Sequence, residues 1–311
     1  MKAEKIFSKT GTVLSLAIIS TLLWGSAFPC VKAGYRIFQV ADGDIGSQML
    51  FAGIRFFIAG LMTILVSLFM ERQEYKKDAV RTWPVGGILL VALVQTCLQY
   101  FFYYVGMAHV TGVKGAILNG SMAFFCVIIA RIFYKEKEKI TGRKLAGCLL
   151  GMAGVIIVNL GKGELGDGFV LLGEGFMILS AIVAALGSLA NKEVARNMAP
   201  VALCGWQLTL GAVMLIALGF VMGGNLPLLE IGAAGWLLLL YMSFISAAAF
   251  TLWTILLKYN PMGRITIYNF LIPVFGSILS ALVLGEEMWN VYTLSALSLV
   301  CVGIYLVNRK K

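Results

Sequence analysis

Arg55 is the residue with the most chemistry in this sequence. It lies seven residues inside an apolar stretch running from 48 to 70, about 10 Å along a helix at the usual rise. A guanidinium at that depth costs at least a few kcal/mol if it faces lipid, so it is expected to face a protein interior and bind something there, the competing roles being snorkelling to the outer surface or a structural bond to loop carbonyls. Gln95, Gln99 and Tyr103 recur every four residues, with Thr96 and Tyr100 beside them. On a helix that spacing makes one slowly drifting polar stripe. Ser246, Phe250, Trp253 and Thr254 form a more aromatic counterpart, and Trp24 with Ser20 offers a third wall. Asn119, Asn269 and Gln207 add amides, and Lys32 stands near the outer mouth. Together these groups bind rather than transform: Arg55 and Lys32 suit a carboxylate, and Trp24, Tyr103 and Trp253 cover an apolar body and serve as gates. Interhelical hydrogen bonding is the competing role for the stripe.

Groups for catalysis are few. There is a single histidine, His109, beside a short turn, and no nucleophile with a base nearby. Cys30, Cys97, Cys126, Cys148, Cys204 and Cys301 are scattered through apolar stretches without CxxC spacing. They read as small hydrophobes rather than disulfides or metal ligands. The expectation is therefore a protein that is not an enzyme and needs no metal or cofactor. Proton coupling would need a titratable group within a span, and Glu174, one to two turns into its segment, is the candidate.

The elements that position these residues follow from composition. Of 311 residues, 60% are hydrophobic and 13% charged, with a mean hydropathy of +0.90, which demands lipid as solvent. Apolar stretches at 12–33, 48–70, 83–107, 112–134, 143–160, 168–190, 200–222, 232–257, 264–285 and 289–307 are each near the ~20 residues of a membrane crossing. The first follows the basic MKAEKIFSKT without a small-residue cleavage site and is expected to be retained. The predicted fold is all-α and integral to the membrane, with ten transmembrane helices.

Charge sets orientation. With the N-terminus inside, 20 of the 25 Lys and Arg residues fall on the inner side, four on the outer side, and Arg55 within a span. That asymmetry predicts cytoplasmic termini. The net charge of +10 is then accounted for by anionic lipid headgroups, so lipid and a small solute are the expected partners and nucleic acid is not.

The chain also repeats. A shift of about 150 residues places Asn119 on Asn269, Glu136 on Glu286 and Leu90 on Leu240, and similar shifts place Gly53-Ile54-Arg55 on Gly205-Trp206-Gln207 and Gly25-Ser26 on Gly187-Ser188. Residues 1–161 and 162–311 are thus predicted to be two five-helix repeats. Because five is odd, the second lies inverted relative to the first. In the stretch from Gly263 to Glu287, Pro273 removes the usual partner of the Asn269 carbonyl and should bend the ninth helix. Its repeat position is Ala123, so the bend is not expected in the fourth. Gly147, Gly151 and Gly154 make a close-packing face, which leaves monomer or homodimer open.

WGSAFPCVK at 24–32, GIRFFIAG at 53–60, the Glu-ended fourth and ninth spans and LIPVFGSILSALVLGEE at 271–287 resemble the drug/metabolite transporter superfamily, EamA type. The likeness runs from about residue 12 to 308. It implies a plasma-membrane secondary transporter that moves small polar metabolites such as amino acids, by export, through a cavity between the halves. The alternative reading is a membrane scaffold or partner subunit that transports nothing.

Overall fold

A computed structural model describes residues 2–74, 84–135, 140–160, 170–285 and 291–308. Glu136, Glu286, Glu287 and Lys162 lie outside the described residues. All described elements are helical. A short helix α1 (Lys2–Phe7) precedes α2 (Thr10–Ile37) and α3 (Ile45–Glu74). Then come α4 (Val85–Ala108), α5 (Gly112–Gly120), α6 (Met122–Tyr134) and α7 (Gly142–Leu160). The remainder is α8 (Leu171–Ala195), α9 (Pro200–Val221), α10 (Gly232–Tyr259), α11 (Met262–Leu284) and α12 (Val291–Asn308).

Helix thus occurs at each expected position, with α5 and α6 sharing the fourth. Among the described residues seven helices are long and apolar enough to cross a membrane; Leu118–Tyr134 and Leu294–Gly303 are shorter apolar helices. Large apolar side chains such as Leu65, Phe69, Phe220, Leu237 and Leu282 are exposed, whereas Arg55, Gln95, Asn191, Gln207 and Asn269 are buried. Polar inside and apolar outside is the arrangement that hydrocarbon solvent selects. Helix ends follow local chemistry: the Thr111 hydroxyl accepts from the Lys114 amide at the start of α5, Pro200 opens α9, and Gly285, at φ 69°, closes α11 in the left-handed region.

The helices pack in pairs that exchange when the halves are exchanged. Thus α3 packs on α9, α7 on α12 and α5 on α11; α2 meets α10 and α11 as α8 meets α4 and α6. Two glycines show the same relation. A Cβ on Gly53 would lie 2.5 Å from Ile216 Cγ1, and one on Gly205 would lie 2.7 Å from Ile64 Cγ1. Both contacts carry into each other under one shift of 152 residues, so α3 and α9 approach as closely as only glycine permits at two equivalent places. The Gly147 face, considered above as a seam for a second copy, is filled within the chain: a Cβ on Gly303 would lie 2.5 Å from the Gly147 carbonyl oxygen, and one on Gly151 would lie 2.5 Å from the Phe270 ring.

Irregular backbone interrupts several helices. In α11 a 3₁₀ stretch, Thr266–Phe270, lies just before Pro273, where the missing amide leads one to expect it. The fourth span, with Ala123 in place of proline, departs from the regular ladder at the single residue Ser121, which keeps right-handed helical φ and ψ of −59° and −20°; its hydroxyl donates to the Leu118 carbonyl at 2.7 Å, a local bond that competes with the helical ladder. The interruptions face each other: a Cβ on Gly120 would lie 2.9 Å from Pro273 Cγ. A π stretch, Ala92–Leu98, interrupts α4, and such bulges recur at functional sites.

Candidate functional site

These breaks surround a cavity lined by Trp24, Ala27 and Phe28 from α2, Arg55 from α3, Gln95, Gln99, Tyr100 and Tyr103 from α4, Asn119 and Met122 from α5 and α6, Phe250 and Trp253 from α10 and Ile272 from α11. Seven of the nine residues expected to bind a solute therefore share one space: Trp24, Arg55, Gln95, Gln99, Tyr103, Asn119 and Trp253. The room for the centres of water-sized molecules is about 50 Å³, enough for a few waters.

The walls divide by chemistry. Trp24 stands edge-on to Phe250 at 5.3 Å and to Trp253 at 5.2 Å between ring centroids, and Phe28 meets Tyr103 at 5.9 Å. The indole N–H groups of Trp24 and Trp253 are buried and have no hydrogen-bond partner among the described residues. Opposite this aromatic wall lies Arg55, 1% exposed. Its Nε donates to the Met242 carbonyl and to Ser246 Oγ, each at 3.1 Å, and its Nη1 donates to Tyr104 Oη at 2.8 Å. The guanidinium carbon lies 4.9 Å from the Phe56 ring centre. Every one of these partners is neutral, and no carboxylate pairs with Arg55 among the described residues. Guanidinium stays protonated in proteins, so the cavity keeps a full positive charge in its wall.

Beside the cavity a second polar cluster ties three helices. Asn191 Nδ2 donates to Gln95 Oε1 at 2.9 Å and to Thr254 Oγ1 at 3.3 Å. Next to it, Lys192 Nζ donates to the Leu257 carbonyl at 2.6 Å and also to that of Asn260, at the carbonyl end of α10 where a cation is favoured. Asn260 in turn donates to the Phe7 carbonyl at 2.9 Å, which fastens α1 to the bundle.

Other expected residues sit elsewhere. Gln207 is fully buried between α9 and its neighbours and does not line the cavity, and Asn269 is buried within the 3₁₀ stretch with both amide atoms unpartnered among the described residues. Pro273 packs on Gly120, next to the lining residue Ile272. Ser20 donates to its own helix at the Leu16 carbonyl, and Lys32 Nζ reaches the Ala108 carbonyl at 3.4 Å. His109 Nδ1 lies 2.9 Å from the Val105 carbonyl, the bond of a helix-end histidine. Glu174 forms an ion pair with Lys114 and accepts from the Val170 amide at 3.2 Å, so the candidate coupling carboxylate is held at the start of α8, away from the cavity. Charged hydrogen bonds of this kind contribute about 1.5–3 kcal/mol. Glu174→Gln should therefore lower the melting temperature in detergent, and the double reversal Lys114→Glu with Glu174→Lys should recover most of the loss seen in either reversal alone. A double variant no more stable than the singles would remove the pair from the account.

Sequence reasoning missed Phe28, Met122 and Ile272 as lining, Tyr104 as the Arg55 partner and Asn191 as the Gln95 partner. Phe28 was within reach, one turn from Trp24; Asn191, a lone amide at the end of an apolar span, was another legible signal. Nothing in the sequence joins Tyr104 rather than Tyr103 to Arg55. The six cysteines are free as expected, although Cys301 is exposed.

An apolar helical bundle around a polar, aromatic-walled cavity defines a membrane-embedded, multi-pass protein. The chain belongs to the EamA-like transporter family, whose sequence model matches residues 11–160 and again 171–309. It is similar to the uncharacterized transporter YvbV of Bacillus subtilis, 28% identical over 98% of this chain and 94% of that one. The WAT1-related protein At3g02690, chloroplastic, of Arabidopsis thaliana is 26% identical over 96% of this chain and 70% of that protein. A protein of Escherichia coli named as a probable amino-acid metabolite efflux pump is 22% identical over 94% and 93%. A solved crystal structure, 18% identical, covers 96% of this chain and 98% of its own with a TM-score of 0.71, which places the fold among known ones.

Proposed function

We propose that this protein is a secondary transporter that moves small organic carboxylates, amino acids or related compounds, by alternating access. One observation carries the reading: a permanently charged Arg55, held by neutral partners in the wall of a central cavity. Burying such a charge without a counter-ion is unfavourable, and a solute carboxylate supplies what is missing. Trp24 and Trp253 cover the apolar part of the solute, and Gln95, Gln99, Tyr103 and Asn119 orient its polar groups. Gln207 and Asn269 support the helices behind.

Ten crossings in two inverted halves, residues 1–161 and 162–311, supply the mechanism, since such halves rock about a shared midplane site. The exchanging helix pairs and the matched Gly53 and Gly205 contacts support that arrangement, as do the two matched stretches of the family. Gly120 against Pro273, where the fourth helix meets the irregular ninth, is the hinge. The excess of inner Lys and Arg supports cytoplasmic termini in a plasma membrane, and the printed name of the Escherichia coli relative supports export.

Counterflow in proteoliposomes tests this. Labelled amino acids and related carboxylates should show saturable counterflow with wild type, reduced at least tenfold by Gln99→Ala. Absence of counterflow for every compound, in protein with a cooperative melting transition, would remove transport and favour a scaffold.

A further inference from the structure

We infer that the cavity selects solutes by net charge, taking monocarboxylates that lack an α-ammonium group in preference to the zwitterionic amino acids of the same shape. The inference rests on the transport reading only for its site; its physical basis is the charge inventory of the wall.

Arg55 brings one positive charge that no protein carboxylate neutralises among the described residues, and no Asp or Glu lines the cavity. The described carboxylates whose contacts are known lie at helix ends: Asp44 accepts from Ser47 at the start of α3, Glu174 pairs with Lys114, and Glu193 pairs with Arg196. With a monoanion bound, the site is neutral. With a zwitterion bound, the carboxylate and ammonium cancel each other and the site keeps its net positive charge in a poorly screened interior, where an unbalanced charge is costly.

Hydrogen bonding points the same way. Polar groups that stand ready at the cavity include the indole N–H groups of Trp24 and Trp253, which lack partners among the described residues. Arg55 Nη2 makes no hydrogen bond among those residues either. All three donate, which suits an anion; the acceptors that also line the cavity, the Gln99 and Asn119 amide oxygens and the Tyr100 and Tyr103 hydroxyls, are neutral and bring an ammonium no charge to balance that of Arg55. Gln95 Oε1, an acceptor an ammonium would seek, already accepts from Asn191. The ring faces of Trp24 and Trp253 give an ammonium some cation–π attraction, so amino acids are disfavoured rather than barred.

Three probes share one phenyl body and differ in charge: phenylpropionate, phenylalanine and phenethylamine. Binding to the purified full-length chain is followed by tryptophan fluorescence, because two of its six tryptophans line the cavity. Each probe is then used to compete counterflow in proteoliposomes. Phenylpropionate is expected to bind at least about tenfold more tightly than phenylalanine, with phenethylamine weakest, and Arg55→Gln is expected to erase the order. Should Arg55→Gln fail to fold, the wild-type order alone decides. Phenylalanine binding as well as or better than phenylpropionate would overturn the inference, even if counterflow runs and the transport reading stands. Failure of all three to bind would overturn it too. An anion preference without counterflow would uphold the inference while removing transport.

Discussion

Arg55→Ala is expected to reduce counterflow of carboxylate solutes by about 30-fold to several thousandfold, the ratio that corresponds to the 2–5 kcal/mol lost when one member of a desolvated, hydrogen-bonded charge pair is removed. The expectation follows from the partners of the guanidinium. It spends Nε on Met242 and Ser246 and one donor on Tyr104, and the rest of its fork remains for the solute. Arg55→Lys should fall between wild type and alanine, because an ammonium keeps the charge but cannot hold two oxygens in a plane. Because Arg55 also joins α3 to α4 and α10, each variant needs a melting curve beside its flux. Flux that falls in proportion to the folded fraction would make Arg55 a structural strut. Undiminished counterflow in folded Arg55→Ala would take the solute site away from this residue.

The second large effect concerns assembly. Gly53→Val and Gly205→Val should each destabilise the bundle by about 1–3 kcal/mol or more through overpacking. The reason is geometric: beyond the Ile216 and Ile64 side chains, the added carbon meets backbone nitrogen at 3.0 Å in both cases. A side chain can rotate away, whereas a helix backbone must move as a whole, so α3 and α9 are pushed apart. Both variants should elute as aggregated or low-yield protein in size-exclusion chromatography and melt earlier. Their effects should be similar, since the two contacts occupy equivalent places. A wild-type melting curve for either one would mean that α3 and α9 are not packed as described here.

Legibility in the sequence differed by residue. Arg55 and the Gln95, Gln99, Tyr103 stripe were readable because an intramembrane charge and a four-residue polar spacing admit few explanations in lipid. Trp24 is readable from its place near the middle of its span, and Trp253 as part of the aromatic counterpart of the stripe. Gln207 and Asn269 were singled out by the same logic, yet they lie in helix packing outside the cavity. A matching position in the sequence repeat does not oblige a residue to line the cavity: Arg55 does, and Gln207, which the shift of 152 residues sets against it, does not. The irregular turn at Ser121 has no signal as strong as proline, because a serine hydroxyl that bonds its own helix is common in regular helices too.

By itself the sequence determined the solvent, the positions of the helices and the buried charge, since each is set by hydropathy, charge and local spacing. Tertiary structure decided which polar residues face one another: Tyr104 rather than Tyr103 on Arg55, Asn191 on Gln95, Gly120 on Pro273. Periodicity fixes the face of a helix on which a residue lies, but not which helix comes to cover that face. That choice depends on close approaches between residues far apart in the chain, Gly53 to Ile216 among them, and on how far each pair of helices slides before its side chains interlock.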